Sequence, residues 1–296
     1  MKFSLIIVTY NRKKELEETI YNVFSLERKF DEIIVINNGS TDGTEEILKK
    51  LRKQYEFKIY NLTKNLGVAG GRNFGVKVSS GDILTFLDDD AIFGISNPID
   101  IMEHYFSNEP NLGILAFRIK NFYTKKVNTA EFPSFSLLGK RKKENEEFYT
   151  SYYIGAGHAI KREVFTKCGL YPEYFFYAGE ELYLSFKAIN KGFTIKYTPK
   201  ILIYHKISPF GRVSTSRKWF YTLRNKLIIN YKFLPVKYRI INNFSWFIKA
   251  FIYTKSPRII WQAYKDFLKF KKLEKPEKLS LYALEYLKRH EGRLFH

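Results

Sequence analysis

Near-continuous apolar runs at Leu5-Ile6-Ile7-Val8, Ile33-Ile34-Val35-Ile36 and Ile83-Leu84-Thr85-Phe86-Leu87 constrain this chain more than any other feature. None alternates with polar residues, so each reads as a strand covered on both faces. Helical stretches separate them, from about Lys13 to Leu26 and from about Thr44 to Tyr55. A shorter strand is expected at Phe57-Lys58-Ile59-Tyr60, and a glycine-rich turn from Gly67 to Gly71 opens a helix ending near Ser79-Ser80-Gly81. Strand and helix in alternation imply an α/β fold built on a mostly parallel sheet with helices on both faces. Such sheets bind ligands beyond the carboxyl ends of their strands. The polar loops fall at those ends: Thr9-Tyr10-Asn11-Arg12, Asn37 to Gly43, and the three aspartates Asp88-Asp89-Asp90.

Clustered carboxylates at a strand end stay ionised only beside a cation or strong donors. Their oxygens suit hard ions such as Mg²⁺ or Mn²⁺, which commonly bridge to substrate phosphates. An acidic loop with no ligand is the plainer alternative, and the surrounding polar loops weigh against it.

The pattern loosens from about Pro98 to Tyr149, with an exposed loop expected over the charged stretch Lys140 to Glu147. Tyr153 to Ile160 reads as a strand and Arg162 to Cys168 as a helix. Glu180-Glu181 opens a further helix that stops at Gly192, a C-terminal glycine. Ile201-Leu202-Ile203-Tyr204 reads as a strand ending at His205, and the chain beyond Ser214 reads as helical. The division expected is an α/β domain over 1–213, with halves at 1–97 and 98–213, followed by a basic helical region over 214–296.

Charge is placed unevenly. Between Lys206 and His296 there are 21 Lys/Arg against 5 Asp/Glu, so 16 of the 20 net positive charges sit in the last third. That bias asks for an anionic partner or forms a solvated basic face. The lone Cys168 excludes an intrachain disulfide and fits a reducing cytoplasm. Met1 to Ser4 is too short for a signal peptide, and no run approaches a bilayer-spanning length.

Taken together, Leu5 to Arg12, Val35 to Thr44, Asn65 to Asn73, Phe86 to Asp90, Gly155-Ala156-Gly157 and Gly179 to Leu182 resemble the family 2 glycosyltransferases. The likeness covers about residues 3–210, and it extends to that family's rhamnosyltransferase- and galactofuranosyltransferase-like branch. It implies the GT-A fold, in which a sugar moves from a nucleotide diphosphate to an acceptor hydroxyl with inversion. By resemblance Thr9, Tyr10, Asn11, Arg12, Asn37, Asn38, Arg72, Asn73, Asp88 and Asp89 serve the nucleotide-sugar, and Asp90 holds a divalent metal, Mn²⁺ or Mg²⁺. His205 is a second ligand or a structural histidine. Glu180 or Glu181 is the catalytic base, with Glu181 preferred, and Gly155, Ala156, Gly157 and His158 lie toward the acceptor. The family often carries aspartate where Asn37 stands. Asparagine still accepts a hydrogen bond from a pyrimidine imide but brings no charge, so a UDP- or dTDP-sugar is the expected donor. Helix capping is the structural alternative for Thr9, Asn11 and Asp42, and acids at a helix N-terminus for the glutamates.

Acceptors in this family are often glycans or polyprenyl-linked carriers. The aromatic and basic segment Trp219 to Tyr253 therefore suits the anionic inner face of the cell membrane, or else it packs on the catalytic domain. Three rivals explain less. Nucleic-acid binding accounts for the basic tail but not for the aspartates or Glu180-Glu181. A nucleotidyltransferase would need a basic glycine-rich loop after the first strand. A family member that only binds nucleotide or glycan would not need its acidic positions.

Overall fold

The computed structural model describes residues 1–134, 143–292 and 294. The first half contains β1 (Phe3–Thr9), α1 (Lys13–Ser25), β2 (Glu32–Asn37), α2 (Thr44–Leu51), β3 (Lys58–Asn61), α3 (Gly67–Val78), β4 (Ile83–Asp88), β5 (Ala91–Phe93), α4 (Pro98–Asn108) and β6 (Leu112–Asn121). Then come β7 (Phe148–Tyr149), β8 (Gly157–Lys161), α5 (Arg162–Cys168), α6 (Glu180–Asn190) and β9 (Thr194–His205). Four helices close the chain: α7 (Thr215–Phe233), α8 (Val236–Thr254), α9 (Pro257–Lys271) and α10 (Leu281–Arg289).

Among the described residues the strands form one sheet in the order β3-β2-β1-β4-β8-β6-β9-β5, with β7 also paired to β9. Parallel pairing joins β1 to β2 and β4, and β2 to β3, as the apolar runs predict. Past β4 the sheet turns mixed, because β8 lies antiparallel between β4 and β6. Neighbouring residues of β1 serve opposite faces. Leu5 and Ile7 join a core with α1, α2 and α4, whereas Ile6 joins one with α3, α5 and α6. This two-sided burial explains the missing polar alternation.

Several boundaries differ from those read in the sequence. Helix α2 stops at Leu51 and β3 begins at Lys58. The loosely patterned stretch contains α4, started by Pro98 in its first turn, and the long strand β6. Only Gly157–Lys161 of the expected Tyr153 strand pairs in the sheet. Tyr153 is instead buried with its hydroxyl 2.9 Å from that of Tyr171. The expected exposed loop over 140–147 lies outside the described residues up to position 142.

The C-terminal helices share the core that packs α3, α5 and α6 on the sheet. Leu223, Leu227 and Ile228 of α7 and Leu287 of α10 are buried in the same cluster as Leu184 and Phe186 of α6. Each such side chain contributes about 1.5–3 kcal/mol of burial. Inside the contact between α7 and α8, buried Asn230 donates through Nδ2 to Oδ1 of Asn242 at 3.0 Å and of Asn243 at 2.8 Å. Among the described residues no helix is long and apolar enough to cross a membrane.

Candidate active site

A cavity of about 700 Å³ opens at the carboxyl ends of β1 and β4. Val8, Thr9 and Tyr10 arrive from β1 and its loop, Asp88 and Asp89 from β4, and Glu180 and Glu181 from the start of α6. Acidic groups thus stand at two places on its wall, and each is built differently.

The first place is the aspartate turn. Asp89 is buried and accepts from Arg12 Nη1 at 2.7 Å. Burial, only partly offset by Arg12, pushes its carboxyl up to about 6. For Asp90 burial acts in the same direction, but bonds from His205 and Ser208 and the charge of Arg12 outweigh it and bring the carboxyl down to about 2. Ser208 N donates to Asp90 Oδ2 at 2.7 Å, and His205 Nε2 lies 3.1 Å from Oδ1. Burial would lower the imidazole of His205, yet bonds to Asp90 and Glu131 raise it to about 10.

Asp88, Asp90 and His205 each bring a ligand atom within 4.8 Å of the others. Two carboxylates and an imidazole suit Mn²⁺ better than Ca²⁺. His205 Nδ1 lies 2.5 Å from Glu131 Oε1, a carboxylate–histidine contact that leaves Nε2 directed at Asp90. Glu131 Oε2 is buried without a partner among the described residues. This donor set fits a divalent cation.

The second place is the N-terminus of α6. Arg72, buried on α3, donates through Nη1 to Glu180 at 3.1 Å and through Nη2 to Gly155 O at 3.0 Å. It also lies 3.4 Å from Asp88 and 3.5 Å from Glu181. Burial first, and then the neighbouring Glu181 charge, hold the Glu180 carboxyl well above its ordinary range. Glu180 is 2% exposed, whereas the Glu181 side chain keeps 22% of its surface. The turn presenting them passes through Ala178 at φ 63° and Gly179 at φ 90°. Asn225 of α7 pins that turn by donating to Tyr177 O at 3.0 Å and Ala178 O at 2.6 Å. Gly67 is required nearby: its φ is +73°, and a Cβ there would lie 2.4 Å from Phe176 O.

Of the residues expected from the sequence, Thr9, Tyr10, Arg12, Asn38, Arg72, Asp88, Asp89, Gly155, Ala156, Glu180, Glu181 and His205 line the cavity. Others serve behind it. Asn11, at φ 53°, accepts from Thr41 N at 2.7 Å and ties two loops together. Asn37 donates to Asn61 at 2.9 Å and accepts from Ser40 N at 3.2 Å, so its oxygen is already engaged. Asn73, expected near base or phosphate, instead clamps the backbone of Tyr171 with bonds of 2.9 and 3.0 Å. His158, expected toward the acceptor, is fully buried and stacks on Phe86 at 5.0 Å, and Gly157 beside it is a paired sheet residue. Burial lowers the His158 imidazole well below its ordinary value, so it packs as a neutral ring. Sequence reading missed Glu131, Ser208 and Asn225, which lie in segments without a motif.

The sequence matches the family described as Glycosyl transferase family 2 over residues 4–169. It is 29% identical over 201 residues to a poly-beta-1,6-N-acetyl-D-glucosamine synthase of Staphylococcus aureus, which covers 66% of this chain and 48% of that protein. The chain thus spans about half the length of that relative. Among solved structures, GalNAc-T7 with UDP, GalNAc and Mn²⁺ superimposes with a TM-score of 0.67 at 16% identity, over 98% of this chain and 58% of the other. S. aureus TarS 1-349 in complex with UDP-GlcNAc gives 0.63 at 17% identity, over 91% and 81%. These two likenesses show the GT-A fold. Because the family match takes in every strand from β2 to β8, the aspartate turn and the Gly155-Ala156 wall, the chain belongs to glycosyl transferase family 2 and is a glycosyltransferase.

Proposed function

We propose that this glycosyltransferase moves a sugar, with inversion, from a UDP- or dTDP-sugar to a hydroxyl of a glycan or polyprenyl-linked acceptor, working at the inner face of the cell membrane. In this reading 1–213 is the catalytic domain and 214–296 its basic helical support. The observation that carries it is the contrast between the two acid groups in one cavity, one suited to a cation and one to a proton. Similar solved structures hold UDP, UDP-GlcNAc or GDP-Man, which supports a nucleotide-diphosphate donor.

Asp88, Asp90 and His205 would hold Mn²⁺ or Mg²⁺, with Glu131 orienting His205. A divalent ion held by these residues would supply positive charge against the leaving diphosphate. Thr9, Tyr10 and Asn38 form the nucleotide side of the pocket, and Asn11, Asn37 and Asn73 brace it from behind. Arg12 contributes its cation beside Asp89. Glu181 is the base: it faces the cavity and takes the proton of the acceptor hydroxyl as that oxygen bonds to the anomeric carbon. The bond from that carbon to the phosphate oxygen breaks, and the nucleoside diphosphate departs. Glu180 and Arg72 position Glu181, Gly155 leaves room for the Glu181 carboxylate and the Arg72 guanidinium, and Ala156 continues the wall on the acceptor side.

A thermal-shift panel of UDP, dTDP, GDP and CDP, each with Mn²⁺ or EDTA, tests this reading. Stabilisation by a uridine or thymidine nucleotide only with metal is expected. Equal stabilisation in EDTA would overturn the metal assignment, and a response to GDP alone would overturn the donor class.

A further inference from the structure

Helix α8 turns apolar side chains outward. Ile240, Phe244, Ile248, Phe251 and Ile252 follow one another at helical spacing and are between 45% and 69% exposed. On the opposite side Asn242 and Ala250 are fully buried and Tyr238, Trp246 and Phe247 pack partly buried against the core. Phe251 and Trp261 are also exposed walls of a groove of about 490 Å³ between α8 and α9. A continuous apolar stripe of this kind is rare on a surface facing only water and marks a covered face.

Charge identifies what covers it. From Val236 to Lys265 the chain carries Lys237, Arg239, Lys249, Lys255, Arg258 and Lys265, and no acidic residue. A second copy would bring the same six cations against these six and be repelled. An anionic lipid surface accepts the apolar stripe into its acyl boundary while the long basic side chains reach the headgroups. The helix does not qualify as a span, so it lies in the plane of the interface.

We infer that the outward face of α8 docks this protein on anionic phospholipid. Trp219, near the start of α7, stacks on Tyr253, near the end of α8, at 4.5 Å and 16°. Arg217 and Lys218, beside Trp219, line the catalytic cavity. Docking through α8 therefore brings the cavity mouth close to the lipid surface, where a lipid-linked acceptor presents its hydroxyl. The docking itself does not depend on which donor or acceptor is used.

The test is flotation of the full chain with phosphatidylcholine vesicles, alone or with about one-third phosphatidylglycerol, at low and high salt. Wild type should float only with the anionic vesicles, and less at high salt. The triple variant I240S/F244S/I248S alters exposed side chains only. It should partition about a hundredfold more weakly while keeping the wild-type circular dichroism and the same thermal shift with nucleotide. Failure of wild type to float with anionic vesicles would overturn the proposal. So would equal flotation of the triple variant, or a wild-type dimer in light scattering that the variant abolishes, because the face would then belong to a second copy.

Discussion

The two acidic groups of the cavity use similar side chains to opposite effect. At the aspartate turn, donors converge on Asp90 from His205 and the Ser208 amide, with the Arg12 charge alongside, and the carboxyl falls to about 2. At the start of α6, Arg72 divides its charge among Glu180, Glu181 and Asp88, and burial dominates, so Glu180 rises. Both sites are enclosed, so burial alone does not set the outcome. The number of donors committed to each carboxylate does. A carboxylate held ionised suits a cation, whereas one that favours its proton helps keep a neighbouring base in place.

Four measurements would break or sharpen that contrast. Asp90→Asn, the largest expected change, removes the ionised ligand while keeping its shape, and nucleotide should then give the same thermal shift with Mn²⁺ as with EDTA. A metal-dependent shift that persists in this variant would move the cation elsewhere. Glu181→Gln should leave nucleotide binding intact and slow transfer by about 10²–10⁴-fold. Near-normal transfer would reassign the base to Glu180. Glu131→Gln weakens the carboxylate partner of His205 and should reduce Mn²⁺ affinity by about 10–100-fold in titration calorimetry. An unchanged affinity would separate His205 from the metal.

The smallest effect concerns pH in the absence of metal. Asp90, lowered from 3.8 to about 2, adds stability that is present above its ordinary value and lost as pH falls through about 2. His205, raised from 6.5 to about 10, adds stability that is full below 6.5 and lost as pH rises through about 10. In EDTA the melting-temperature loss in His205→Gln should be greatest between those limits, at about pH 4–6.5, and shrink toward alkaline pH. Glu180 shares the sign of His205 and opposes that of Asp90. Its raised carboxyl costs stability as pH climbs above 4.5, so Glu180→Gln should gain on wild type over that rise. A Glu180→Gln variant that loses ground on wild type as pH rises above 4.5 would remove the contrast with Asp90.

Much of this was legible in the residues. The unbroken runs in β1, β2 and β4 announce two-sided burial, and that determines both the parallel half of the sheet and the end where the polar loops gather. Asp88, Glu180 and Glu181 fall where strand and helix boundaries place them. Other features could not be read locally. Asn73 sits one residue from Arg72, yet their side chains enter different environments, because successive helix positions point about 100° apart. His158 looks available in a glycine-rich string but stacks in the core once β8 pairs antiparallel with β4. Glu131 and Asn225 act across gaps of 74 and at least 47 positions, so their partners appear only when distant segments meet.

The amide contact between Asn230 and Asn242 and Asn243 has a consequence for how this protein could be altered. Rolling α8 about its axis would strand buried amides, each at about 1–3 kcal/mol. The pair therefore works as an index pin that fixes which residues look outward while leaving their identity open. Exchanging those outward residues would readdress the enzyme to another surface, with the catalytic cavity carried along unchanged.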